Sequence, residues 1–339
     1  MTDFWKNQMD YVFFVYGFAF IAVAAVLLGR KRAKEGERFG WNWLLWFGLL
    51  HGVNEWMDMW AIGFGDSAAF KWVRLWIMAA SFLALFEFGR RGLISGGLKW
   101  PGGWLYAIVL PAAAMGYLYG PNGLNASLRY FLGFTGASLT GMVFLRVSGR
   151  QPAERGIFHT LAGAAFLLYG ASAGLIVPAA GFYPANILNH DAFFAVLGFP
   201  VQVLRALCAG VSAFCVWGIF RGEPRKGNEE SLWFRAWFLP GCIVSGLIFG
   251  VFLVNWQGNI ADKEQRGEIL SQVRAVARTM NVKDIKALSF TPRDNKNPSF
   301  LRLRQQLISY GKAMNLRSIY SMALRDGKIV FGPENIPEG

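Results

Sequence analysis

Eight apolar runs constrain this chain more than any other feature, because each is close to the length that crosses a bilayer. They fall at 11–29, 41–63, 71–89, 103–120, 127–146, 157–180, 192–220 and 237–256. A helix needs about 20 apolar residues to cross the hydrocarbon core, where an unpaired backbone finds no water. The expected fold class is therefore an all-α polytopic membrane bundle of about eight transmembrane helices, followed by a partial α+β domain. Only 16% of the residues are charged, against about 25% in soluble domains. The net charge of +13 would suggest nucleic acid in a soluble protein. Here the cations cluster in short loops between apolar runs, so membrane lipid is the expected partner and nucleic acid is not. The first run is not a cleaved signal, since Arg30-Lys31-Arg32 follows it directly.

The loops give the runs a direction. Arg30, Lys31, Arg32, Lys34 and Arg38, then Arg90, Arg91 and Lys99, then Arg146, Arg150 and Arg155, then Arg221, Arg225, Lys226 and Arg235 occupy alternate loops. The opposite loops and span edges hold Lys6, Lys71 and Arg129. Fifteen cations against three place the first set in the cytoplasm of a plasma (inner) membrane. The N-terminus and residues 257–339 are then extracytoplasmic. The expected divisions are a seven-span module at 1–236, an eighth span at 237–258 and an outer domain at 259–339. Cys208, Cys215 and Cys242 all lie within apolar runs and have no metal-ligand spacing.

Ionisable residues inside a span are the candidates for chemistry. His51, Glu55 and Asp58 share a helical stripe in span two, with Asn54 beside it. Each such group costs about 2.5–3.5 kcal/mol at mid-membrane, so the stripe should turn inward and find partners. Arg74, across a short loop from Asp58, and Arg205, mid-span in the seventh run, are the candidate partners. Two readings stand: these pairs brace the bundle, or they form an intramembrane ligand, proton or signal site. Haem on His51 is a weaker alternative, because His159 and His190 do not match its depth. No cofactor is otherwise expected. Glu87 beside Arg90 and Arg91 reads as a local interface pair.

The tail reads as a stalk helix over 259–280 with an Ile269, Val273, Val276, Met280 seam, a turn-rich loop from Pro292, and a helix over 299–314. Strands over 318–324 and 328–331 follow, joined by Arg325-Asp326-Gly327. A two-stranded hairpin is marginal alone, which suggests the front part of a longer domain or, as the alternative, completion by a second chain.

These residues carry a resemblance. The stalk, Asn297-Pro298-Ser299-Phe300-Leu301-Arg302-Leu303 and the hairpin resemble the opening of a Cache-type, PAS-like sensor domain. Phe47-Gly48-Leu49-Leu50-His51-Gly52-Val53-Asn54-Glu55-Trp56 and residues 82–91 resemble the multi-span N-terminal module of bacterial PAS-containing sensor histidine kinases. The resemblance implies a sensory input region of a two-component system, a homodimer through the stalk helix, and an unknown small-molecule ligand. It implies kinase activity only for a longer parent protein, since no phosphoacceptor helix or nucleotide-binding lid is present. The input region of a diguanylate cyclase, or a transporter or channel using the charged site, are the alternatives.

Overall fold

The computed structural model describes residues 2–29, 40–98, 102–221, 230–314, 316, 318–325 and 327–335. The basic cluster at 30–38, Lys99, Arg225, Lys226, Arg317 and Asp326 lie outside the described residues, as do the side chains of Lys6, Arg235 and Cys242. The chain is mostly helical with one small sheet, and divides into two compact units, Met1–Gly258 and Asn259–Gly339.

In the first unit, α1 (Thr2–Leu28), α2 (Trp41–Phe64), α3 (Ala68–Ser95), α4 (Tyr106–Ala114), α5 (Gly120–Leu128), α6 (Thr135–Ser148), α7 (Ala153–Gly170), α8 (His190–Leu197) and α9 (Val201–Phe220) follow in order. Five stretches among the described residues are long and apolar enough to cross a membrane: Gln8–Leu28, Ala68–Ser95, Gly103–Ser148, Ala153–Leu175 and Val201–Phe220. The stretch Gly103–Ser148 holds two legs. The chain reverses at Gly120, whose φ of 74° suits a residue without Cβ, and α4 packs back on α5. There Ser127 Oγ donates to Ala113 O (2.5 Å). The seventh apolar run is divided: α8 ends at Leu197, and Pro200 caps a separate α9.

Six helices close a ring. α1 packs on α2, α2 on α3, α3 on α6, α6 on α7, α7 on α9, and α9 back on α1. Without a hydrophobic drive between helices in lipid, close backbone approach at small residues supplies the packing. A Cβ on Gly52 would sit 2.6 Å from Gly17 O, and one on Gly48 2.7 Å from Phe20 O. Two π-turns interrupt the helices, Arg129–Phe134 between α5 and α6 and Ala171–Leu175 at the end of α7, and they pack against each other. α10 (Glu230–Thr279) begins in this unit, where Tyr11 of α1 donates to Asn255 Oδ1 (2.9 Å).

The second unit holds the end of α10, then α11 (Val282–Lys286), α12 (Pro298–Ala313), β1 (Tyr320–Arg325) and β2 (Lys328–Glu334). Asn297 caps α12 by accepting from Ser299 N (3.0 Å). The strands pair antiparallel, Ala323 opposite Val330 and Leu324 opposite Ile329, and α12 packs on β2. Val276, Leu288, Leu303 and Leu307 form its buried apolar residues. α11 is an α-helix of this unit that the apolar spacing did not reveal; at five residues it is too short to show a period.

Candidate functional site

His51 sits at the centre of the ring with no exposed surface. The rings of Phe20, Phe47 and Phe82 surround it, each with its centroid within about 5 Å of the imidazole's. Both of its nitrogens are engaged. Ser81 Oγ donates to Met78 O (2.7 Å) and lies 2.8 Å from His51 Nδ1. With its own proton committed, the serine oxygen accepts, so Nδ1 carries a proton. His51 Nε2 then meets three groups: Tyr169 OH at 2.7 Å, Tyr16 OH at 3.3 Å and Glu55 Oε1 at 3.2 Å. Tyr16 OH also donates to Tyr169 OH (3.2 Å). The contact between Nε2 and Oε1 has one proton to place. On Nε2 it makes an imidazolium–carboxylate pair; on Oε1 it makes a neutral pair in which Nε2 accepts from Tyr169. The arrangement can therefore hold one proton in two ways within a hydrogen-bonded cluster of α1, α2, α3 and α7.

One helical turn further along α2, Asp58 pairs with Arg74, whose other terminal nitrogen donates to Asp66 Oδ2 (2.5 Å). This is the ion pair that the short α2–α3 loop suggested. Asn54 is 2% exposed, and its Oδ1 has no hydrogen-bond partner among the described residues. Arg74 Nε is likewise buried and unpartnered.

Arg205 does not meet His51 or Glu55. It donates to Ser172 O (2.8 and 3.1 Å) and Ile176 O (2.5 Å), and its Nη2 lies 3.3 Å from His190 Nε2. The physical reason is the π-turn at Ala171–Leu175. Widening the helix frees carbonyls that an α-helix would use, and a buried guanidinium with five donors takes them. Arg129 works the same way from the facing π-turn: its Nε donates to Asn125 Oδ1 (2.7 Å) and its Nη1 to Ala173 O (3.2 Å). Arg129 read as a span-edge residue in the sequence, yet it is 5% exposed.

The sequence thus located His51, Glu55, Asn54, Asp58 and Arg74 on one side of the site. It missed Tyr16, Ser81, Tyr169, Asn125 and Arg129. Hydroxyl groups in apolar runs were the available signal, but spacing alone cannot say which run faces which. Glu87 is a local pair as read: Arg90 donates to it (2.6 and 2.8 Å), as do Arg91 and Tyr106. His159, weighed as a haem ligand, bonds Arg155 O on its own helix (2.9 Å). Among the described residues no group of three His, Cys, Asp or Glu side chains could hold a metal. No protein-family model, curated protein or solved structure matches the chain.

Proposed function

We propose that this chain is the membrane-embedded sensory input region of a bacterial two-component signalling protein, with a sensor histidine kinase as the output class and a diguanylate cyclase as the alternative. In this reading eight spans cross the plasma membrane: α1, α2, α3, the α4 leg, the α5–α6 leg, α7, α9 and the first part of α10. The N-terminus and the second unit lie outside, and the second unit belongs to a Cache-like sensor domain.

The observation that carries the reading is α10. It is one unbroken helix from Glu230 to Thr279, beginning in the unit that holds the buried cluster and ending in the unit that holds the sheet. In this reading α10 is the element that carries a signal from one unit to the other. Ile269 and Val273 are about half exposed on it and offer a seam for a second copy.

Disulfide trapping tests this. In a cysteine-free background, Val273→Cys should cross-link two copies in native membranes. Glu55→Gln or His51→Gln should change the cross-linking rate at least threefold. A rate that ignores both variants, or no cross-link at all, removes the sensory reading. The buried charged residues near one end of the ring also suit a transporter; substrate flux in proteoliposomes that Glu55→Gln abolishes would favour it.

A further inference from the structure

Between α2, α3 and α5 lies a cavity of about 60 Å3, lined by Asn54, Asp58, Lys71, Arg74, Asn125 and Arg129. It is near the end of the ring where the α2–α3 loop and the Gly120 reversal lie, since Pro121 also lines it. A single water needs roughly 10–15 Å3 of such space, so the cavity has room for a larger guest. Its size suits a halide or a one- to two-carbon carboxylate.

The lining has unmet demands. Arg74 Nε is a buried donor with no partner, and Asn54 Oδ1 is a buried amide atom with no partner, among the described residues. Such groups in a low-dielectric site carry a desolvation penalty until something bonds them. The Asn54 side chain also hydrogen-bonds Glu55, so a half-turn that presents its nitrogen to a guest turns its oxygen to Glu55 and needs the proton on that carboxyl. Charge decides which. Lys71, Arg74 and Arg129 bring three cations, and Asp58 is the one carboxylate, already held by Arg74. Neither Lys71 nor Arg129 pairs with a carboxylate among the described residues; Arg129 spends its donors on Asn125 and Ala173 O. Asp66 holds the other terminal nitrogen of Arg74, which leaves one surplus positive charge; water satisfies hydrogen bonds but does not neutralise it. A metal cation would enter a positive field with one occupied carboxylate to hold it.

We propose that this cavity binds a small monovalent anion, a short-chain carboxylate or a halide, bridging Arg74 Nε and Asn54 with Lys71 and Arg129 supplying the charge. This rests on the sensory reading for its purpose but not for its existence. Asn54 precedes Glu55 on α2, so a guest that fixes the Asn54 amide acts one residue from the His51–Glu55 contact.

The test is thermal unfolding of the full chain in detergent, followed by tryptophan fluorescence. Choline acetate, choline chloride and choline gluconate are compared at equal ionic strength, gluconate being too large for the cavity. Acetate, chloride or both should raise Tm saturably by at least 3 °C, and the two arms identify which guest class is held. Lys71→Gln should weaken the apparent affinity at least tenfold. Asn54→Asp, which places a fixed carboxylate at the cavity wall, should abolish the response in protein that still elutes as a single species. Equal Tm in all three salts, or an undiminished response in both variants, overturns the proposal. The Val273→Cys cross-link separates the two ideas. Anion binding that leaves cross-linking unchanged keeps the site and sinks the sensory coupling. Cross-linking that follows Glu55→Gln without any anion response does the reverse.

Discussion

At the scale of residues, the hydrogen bonds around His51 differ in what their loss should do. Ser81→Ala leaves a buried Nδ1–H without an acceptor, and a stranded buried donor costs about 1–3 kcal/mol. Tyr169→Phe removes the 2.7 Å partner of Nε2, and Tyr16→Phe one at 3.3 Å. Thermal melts in detergent should therefore rank the loss as Ser81→Ala and Tyr169→Phe above Tyr16→Phe; equal effects would mean the cluster is held by ring packing alone. Much of this site was legible from the spacing of His51, Glu55 and Asp58, because three ionisable groups on one helical stripe have few places to go in a membrane. Tyr169 was not, because a tyrosine in an apolar run is equally at home at an interface or in a core. Arg205 was legible as a buried cation but not in its partners. The π-turn, a backbone event with no side-chain signature, makes the Ser172 carbonyl available to it, and the extended backbone that follows presents the Ile176 carbonyl.

At the scale of elements, α1 and α2 meet where Gly52 faces Gly17 O. Gly52→Ala should push these helices apart. The expected result is a fall in Tm at least as large as that of Ser81→Ala, because the nearest obstructing atom, Gly17 O, is backbone and cannot rotate away as the Ile21 side chain can. In the second unit α11 is tied to α12 by Asp284, which accepts from Arg302 Nη2 (2.6 Å) and Ser299 Oγ (2.7 Å). The Arg302 guanidinium, aided by the Ser299 hydroxyl, holds the Asp284 carboxyl below its ordinary value of 3.8. The folded state thus favours the ionised form. The contribution is complete above the unfolded value and fades as pH falls from there through the folded one. Hydrogen exchange of residues 282–313 in the full chain should show lower protection in Asp284→Asn than in the native chain at pH 7. That difference should shrink as pH falls below 3.8. A difference that persists in acid would mean that Asp284 matters for shape and not for charge. The long helices and both strands were legible from apolar period and turn residues, whereas the five-residue α11 was not. The division of the seventh run was not, since Pro200 in an apolar stretch reads as a kink.

At the scale of the whole molecule, the proposed direction of the chain is open to labelling. With the native cysteines replaced, single cysteines at Ser67 and Ser271 should react with an impermeant maleimide in intact cells. One at Gln151 should react only after the membrane is broken; the opposite pattern would invert the topology. The closed ring adds a condition on time. α1 packs on α9, so the ring cannot shut until the ribosome has made residue 220. Tyr169 comes 118 positions after His51, whereas Tyr16 and Ser81 lie 35 and 30 positions away. A nascent chain therefore supplies the imidazole with an early partner on each flanking helix, and the last hydroxyl arrives when the bundle is nearly whole. The order of synthesis shields the least membrane-compatible stripe of the protein while the rest of it is still being born.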